Sequence, residues 1–324
     1  MQSLTSNPLN IRVYSDGKDK NSSTQSSFSF AVSVVTLTLY CGWLHVLLLL
    51  FLSCAFSRVA TAVLLVILST LLLPRKPVLW REFNESWVFR TWREYFSFSY
   101  LFEENLDPNK SYVFVEFPHG VFPMGPLLAG TLVNVMFPDF KIFSLAASSV
   151  FTIPRHFSTW MGSVPATSGN FRKLLSKGSV AVIVGGIAEM FMGSKTEESI
   201  MLKTRKGFVR VAVEEGIDGG IVPVYHFGNS QILSFWPQSN ATLSRKLRAA
   251  LAIMYGRWGL PTPRPEPIYM VTGRPIPVNK MAKTDSGYEA EVDRVHALVI
   301  SELQALYDRH KTEFGWKDRP LFIQ

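Results

Sequence analysis

Cysteine is nearly missing. Only Cys41 and Cys54 occur in 324 residues, both inside an apolar N-terminal block. They cannot build a disulfide framework or a cysteine-rich metal centre, and nothing obliges the chain to enter an oxidising compartment. No Gly-x-Ser-x-Gly elbow, P-loop, Gly-x-Gly-x-x-Gly or His-Glu-x-x-His occurs. Hydrolase, nucleotide-triphosphatase, dehydrogenase and zinc-protease chemistries therefore lose their main support. None of the six histidines has an aspartate five positions on, so a local His–Asp dyad is missing too. Lys and Arg number 33 against 25 Asp and Glu, for a net charge of +8. No dense basic tract accompanies that excess. Nucleic acid is thus disfavoured as the anionic partner against an acidic membrane face or a phosphorylated small molecule.

Apolar residues, by contrast, are abundant. They make up 47% of the chain, and mean hydropathy is +0.15. The excess lies near the N-terminus. Residues 1–28 are rich in Ser, Asn and Thr and are expected to be disordered. Residues 29–73 are almost wholly apolar, too long for a signal peptide, and broken by His45, Ser57 and Arg58. One helix needs about 20 apolar residues to cross a bilayer. The part before Ala55 meets that length, Val59–Leu73 is short, and Arg58 falls at the turn, so a membrane helical hairpin is expected. A single tilted span is the alternative. Arg12, Lys18 and Lys20 precede the block, and Arg75, Lys76 and Arg81 follow it, which places both ends on the cytosolic side. The sequons at Asn84, Asn109 and Asn240 would then go unused. Residues 74–109 carry dense aromatics, Trp80 to Phe102, among charges. They suit either a linker at headgroup level or an amphipathic helix packed on the next domain.

From residue 110 to 324 short apolar runs alternate with helical patterns. Strands are expected at Tyr112–Phe117, Lys141–Leu145, Ser179–Val184, Ile221–Tyr225 and Ile268–Thr272, and several are apolar throughout, as strands covered on both faces are. Helices are expected over Thr204–Glu215, closing at Gly216, and over Asp285–Glu313, with Asp285 as its N-cap. The fold class is a layered α/β domain.

The first of these strands carries the chemistry. It stops at Pro118, which cannot donate to a ladder, and His119 follows with Gly120 behind it. A histidine lifted to a sheet rim can serve as general base near neutral pH; the plainer reading is a polar corner residue. Glu189 follows the strand Ser179–Val184 and the turn Gly185-Gly186. It is the candidate to orient the His119 imidazole, with a helix N-terminal carboxylate as the plainer reading. Glu116 is a second acidic candidate, equally readable as a partner for a nearby cation. Lys203, Arg205 and Lys206 precede Gly207-Phe208 at an expected helix start. Cations beside free backbone N–H groups make an anion site, or else a solvated charged face.

Five pieces in order resemble the type-2 diacylglycerol acyltransferases, a family that includes monoacylglycerol and wax-alcohol acyltransferases. They are Tyr112-Val113-Phe114…Pro118-His119-Gly120, Gly185-Gly186-x-x-Glu189, Arg205-Lys206-Gly207-Phe208-Val209, Val222-Pro223-Val224-Tyr225-x-Phe227-Gly228, and Leu306-Tyr307-x-x-His310-Lys311-x-x-Phe314-Gly315. The resemblance covers roughly Trp80 to the C-terminus. The family usually has His-Pro-His-Gly, and Phe117 stands at the first position here. The sister glycerophosphate acyltransferases place an aspartate where Met124 stands. The resemblance implies a glycerophosphate-acyltransferase-like domain with a mostly parallel central sheet. It implies acyl transfer from acyl-CoA, a co-substrate with no resident cofactor or metal, to diacylglycerol. His119 would be base, Gly120 would help to hold the oxyanion, and Arg205 and Lys206 would hold coenzyme A phosphates. Endoplasmic-reticulum membrane or lipid droplet is the expected location, with no nucleic-acid partner and a homo-oligomer left open. A monoacylglycerol or long-chain-alcohol acceptor, or a non-catalytic lipid-binding protein, is the alternative.

Overall fold

The computed structural model describes residues 5–6, 12–15, 25–73, 79–151, 155–237 and 253–324. Lys18, Lys20, Arg75, Lys76 and the sequon Asn240 lie outside them. Two short strands, β1 (Thr5–Ser6) and β2 (Arg12–Ser15), occur within the stretch expected to be disordered. Three apolar helices follow: α1 (Ser27–Cys41), α2 (Trp43–Ser53) and α3 (Arg58–Ser69). Next come α4 (Arg81–Asn84), α5 (Trp87–Tyr95) and β3 (Ser99–Phe102). The remainder alternates: β4 (Tyr112–Phe117), α6 (Met124–Met136), β5 (Ile142–Ala146), α7 (Arg155–Trp160), β6 (Val164–Pro165), α8 (Ser168–Leu175) and β7 (Ser179–Ile183). Then α9 (Ile187–Met190), β8 (Glu198–Ile200), α10 (Gly207–Glu215), β9 (Gly220–Phe227), β10 (Ser234–Trp236), β11 (Ile253–Tyr255), β12 (Tyr269–Thr272), α11 (Tyr288–Phe314) and β13 (Leu321–Ile323) complete it.

Nine strands form one sheet in the order β1-β2-β3-β12-β9-β4-β7-β5-β6. The run β9-β4-β7-β5-β6 is parallel throughout, and β12 pairs antiparallel with β9. Five strands fall where the apolar runs place them, with ends displaced by up to two residues. Strand β4 lies between two parallel partners with all six residues buried, which is why its sequence is continuously apolar save Glu116. Its alternate side chains enter two cores. Val113, Val115 and Phe117 pack with Val209 and Val213 of α10 and Val295 and Leu303 of α11. Tyr112 and Phe114 pack with Leu128 of α6 and Trp92 of α5. Helix α11 starts at Tyr288 after Gly287, and Asp285 does not cap it. Its carboxylate instead accepts from the Ala282 N–H at 2.7 Å, closing the preceding turn.

The aromatic segment after Trp80 is folded into the domain. Phe89, Trp92, Tyr95, Phe96 and Phe98 are all buried, so the packed alternative describes it, with Trp80 and Trp87 left exposed.

The apolar N-terminal block divides differently from its expected halves. Among the described residues no single helix is long and apolar enough to cross a membrane; α1 and α2 pass together but are bent by 77°. The bend is at Gly42, where an added Cβ would stand 2.5 Å from Pro261 Cγ. Helix α1 belongs to the domain. Ser33 Oγ donates to the Thr91 carbonyl at 2.9 Å, Trp92 Nε1 donates to Thr36 Oγ1 at 2.7 Å, and Leu37 is buried. Helices α2 and α3 bury no residue, and Leu48, Phe51, Leu65 and Val66 each keep more than half of their surface open. Ser57 caps α3 by accepting from the Ala60 N–H, so Arg58 does lie at the turn.

Candidate active site

Where β4 ends, the chain turns through Pro118 and brings His119 to the sheet rim, half-buried. Gly120 has φ +57°, a left-handed conformation that glycine adopts without a Cβ penalty. That conformation folds its carbonyl back to 2.9 Å from His119 Nδ1. A carbonyl only accepts, so Nδ1 carries the proton and Nε2 is the bare, basic nitrogen. Burial pushes the imidazole pKa below its ordinary value, partly opposed by the Gly120 bond, so the ring is neutral at physiological pH. The Gly120 N–H has no hydrogen-bond partner among the described residues.

Glu189 reaches His119, but through the main chain. Its Oε2 accepts from the His119 backbone N–H at 2.6 Å, and Oε1 accepts from the Met201 N–H at 2.9 Å. The expectation that Glu189 orients the imidazole is thereby corrected. The carboxylate clamps the peptide that carries the ring, while Gly120 orients the ring itself. Gly185 permits the clamp, since a Cβ there would overlap the Glu189 carboxyl carbon, 1.8 Å away. Burial raises the Glu189 pKa to about 7 against the two N–H bonds and the nearby Arg205 charge, which pull it down.

A third holder escaped the sequence reading. Asn229, buried, accepts from the Gly125 N–H at 2.9 Å through Oδ1, and donates through Nδ2 to the Pro118 and His119 carbonyls at 3.1 and 3.2 Å. It joins β4, the histidine turn and α6 in one residue. The available signal was its position directly after Phe227-Gly228.

The basic cluster is divided. Lys206 Nζ is 2.6 Å from Asp293 Oδ1 on α11. Arg205 is exposed, has no ion pair among the described residues, and is near enough to Glu189 to lower its pKa. Glu116 is not beside His119 at all: it is buried on β4, with Oε2 3.3 Å from His226 Nε2. Among the described residues no three His, Cys, Asp or Glu side chains converge as metal ligands. Free space beside Pro118, Gly120 and Glu189 is only about 10 Å³.

Residues 48–324 match the family model described as diacylglycerol acyltransferase. The chain belongs to the diacylglycerol acyltransferase family. It is 30% identical over 256 residues to "Diacylglycerol O-acyltransferase 2-like protein 6" of Bos taurus, spanning 70% of this chain and 74% of that one. It is 30% identical over 261 residues to "Diacylglycerol O-acyltransferase 2" of Danio rerio, spanning 73% and 71%. Among solved structures, the 1-acyl-sn-glycerophosphate acyltransferase of Thermotoga maritima aligns over 84% of this chain and 96% of its own, with 15% identity and a TM-score of 0.40. Membership of that family makes the chain an acyltransferase. His119, Gly120 and Glu189 all lie inside the matched residues, whereas α1 and the first residues of α2 precede them.

Proposed function

We propose that this acyltransferase transfers a fatty acyl group from acyl-CoA to the free hydroxyl of diacylglycerol, forming triacylglycerol at the endoplasmic-reticulum membrane. His119 Nε2 takes the hydroxyl proton as the oxygen attacks the thioester carbonyl. The carbon–sulfur bond breaks, and coenzyme A leaves as the thiolate, to which the imidazolium returns the proton. No acyl-enzyme is required. The observation that carries this reading is the Gly120 carbonyl on Nδ1, because it leaves the opposite nitrogen unprotonated in a half-buried ring. Base assistance of this kind is worth about 10²–10⁴-fold. The unpartnered Gly120 N–H suits the oxyanion, a contribution of roughly 10²–10³-fold for a well-placed donor. Arg205 is open to a coenzyme A phosphate, and Lys206 would have to exchange Asp293 for one.

Membrane attachment falls to α2 and α3. Eleven residues of helix rise about 16 Å, roughly half of a hydrocarbon core of about 30 Å. The length of the pair therefore suits a hairpin inserted into one leaflet, against which the charge of Arg58 at its turn works.

The test is acyl transfer from labelled acyl-CoA to diacylglycerol in microsomes. His119→Ala is expected to lose at least 10²-fold in kcat while still expressing and inserting. Retained turnover in that variant rejects His119 as the base.

A further inference from the structure

Beneath α6, on one face of the sheet, is a cavity of about 850 Å³. Small-molecule sites run from about 300 to 1,000 Å³. Phe114, Ala129 and Met270 give it apolar walls, and Lys141, Lys173 and Lys177 line it as exposed residues. One charged lining residue is buried: Glu116. Behind it stands His226, with no exposed surface, its Nε2 3.3 Å from Glu116 Oε2. The carboxylate accepts, so Nε2 carries the proton, and Nδ1 is left without a partner. Glycine at 125 makes room for the ring, since a Cβ there would come within 2.6 Å of Nδ1. Glu116 Oε1 has no hydrogen-bond partner among the described residues. Glu116 lines the cavity, so an oxygen with no protein partner is open there to a donor brought from outside.

We propose that this cavity binds a neutral long-chain amphiphile whose free hydroxyl donates to Glu116 Oε1, with His226 as the residue that positions the carboxylate. The apolar walls take the chain. At Glu116 Oε1 a fatty acid carboxylate would bring only acceptors to an acceptor, so it would have to turn to the lysines and forgo Glu116. His119 does not line the cavity, so the hydroxyl held here is separate from the base. The lipid identity of the ligand rests on the proposed acyltransfer reading; the hydrogen bond to Glu116 does not. Monoacylglycerol, diacylglycerol and fatty alcohol share the required chemistry.

The experiment is competition for a bound fluorescent fatty alcohol on the full chain in phosphatidylcholine vesicles. Hexadecanol is expected to compete roughly tenfold or more better than hexadecyl methyl ether, as fits a hydrogen bond to a charged group. Glu116→Leu, or Glu116→Leu with His226→Leu where the single variant does not fold, removes that preference. His226→Gln retains part of it and His226→Phe retains less. Gly130→Leu fills the cavity from α6, where an added Cβ meets only Met161 Cε at 3.8 Å, and abolishes competition. Three results overturn the proposal: alcohol preference persisting in a folded Glu116 variant, unchanged binding in Gly130→Leu, or palmitate competing as well as hexadecanol and losing as much in Glu116→Leu. The glyceride that competes best, mono- or diacyl, identifies the source. His119→Ala keeps the preference, so loss of turnover alone counts against the base and not against this site.

Discussion

Glu189 is held by two main-chain N–H groups in a place that water barely reaches, and the balance of these effects has a measurable sign. Its folded pKa, about 7, stands above the unfolded value of about 4.3. The protonated form therefore favours folding. That stability is fully present below about pH 4.3 and is lost as pH rises through 7, a change of roughly 3–4 kcal/mol. His119 works in the opposite direction, since its depressed pKa favours folding above the ordinary histidine value and less so below it. Comparing thermal unfolding of wild type and Glu189→Gln separates the two: the advantage of wild type should shrink between pH 5 and pH 7.5. A difference that is flat with pH would show that Glu189 is not buried as described. The same variant is expected to lose turnover, because Gln turns N–H groups toward one of the two backbone donors. Gly120→Ala tests the ring's other constraint. At φ +57° an alanine costs about 1–2 kcal/mol, and its Cβ would stand 3.1 Å from Asn229 Nδ2. Acyl transfer should fall at least tenfold, with a Tm drop of a few degrees at most. Full activity in Gly120→Ala would reject the carbonyl's role in fixing the tautomer.

At the scale of elements, α2 and α3 differ from all the other helices of eight residues or more whose burial is described: neither has a buried residue, and one side of each is open. Charges placed there should leave the fold alone and affect only attachment. Leu48→Glu with Leu65→Glu is expected to weaken vesicle binding more than tenfold and to leave Tm within about 2 °C, by co-sedimentation and calorimetry. A large Tm loss would mean that these faces are covered by protein. Helix and strand positions were legible because periodicity reports burial: β4 matched to the residue, and β9 differed only at its ends. The break at Gly42 was not, because a glycine in an apolar run reads as helix until Pro261, more than two hundred residues on, is seen against it. Asp285 failed for a similar reason, having a competing donor at Ala282 that local rules do not rank.

Over the whole molecule, the far end of the chain supports the histidine turn. Glu198, buried, accepts from Arg319 Nε at 2.8 Å, from Ser230 at 2.7 Å and from Tyr225 at 3.2 Å, and β8, its own strand, pairs in parallel with β13. Arg319→Ala leaves a buried carboxylate without its counter-ion, with only the Ser230 and Tyr225 hydroxyls on it, and should cost about 3–5 kcal/mol, read as a fall in Tm with kcat per folded molecule nearly unchanged. A stable, fully active variant would show that the tail is not needed. Motif order in the sequence located His119, Gly120 and Glu189, and the structure brings them together. It could not say that Glu189 grips a peptide and not a ring, nor that Asn229 closes the turn, because both depend on which atom faces which. Phe117, the departure from the family's usual histidine, points into the α10–α11 core beside Val113 and Val115, where a second histidine would have been buried among aliphatic groups.

The 77° elbow has one more effect. Helix α1 is riveted to the sheet's helical cover, and a single glycine then hands the chain to the exposed hairpin, with no slack between them. If the pair is the proposed membrane anchor, the molecule moors without a leash: once its hairpin is seated in a leaflet, the angle at which the histidine rim meets the lipid surface is already set. Splicing a few flexible residues in at Gly42 should leave it moored and yet adrift, attached as before but turning over more slowly.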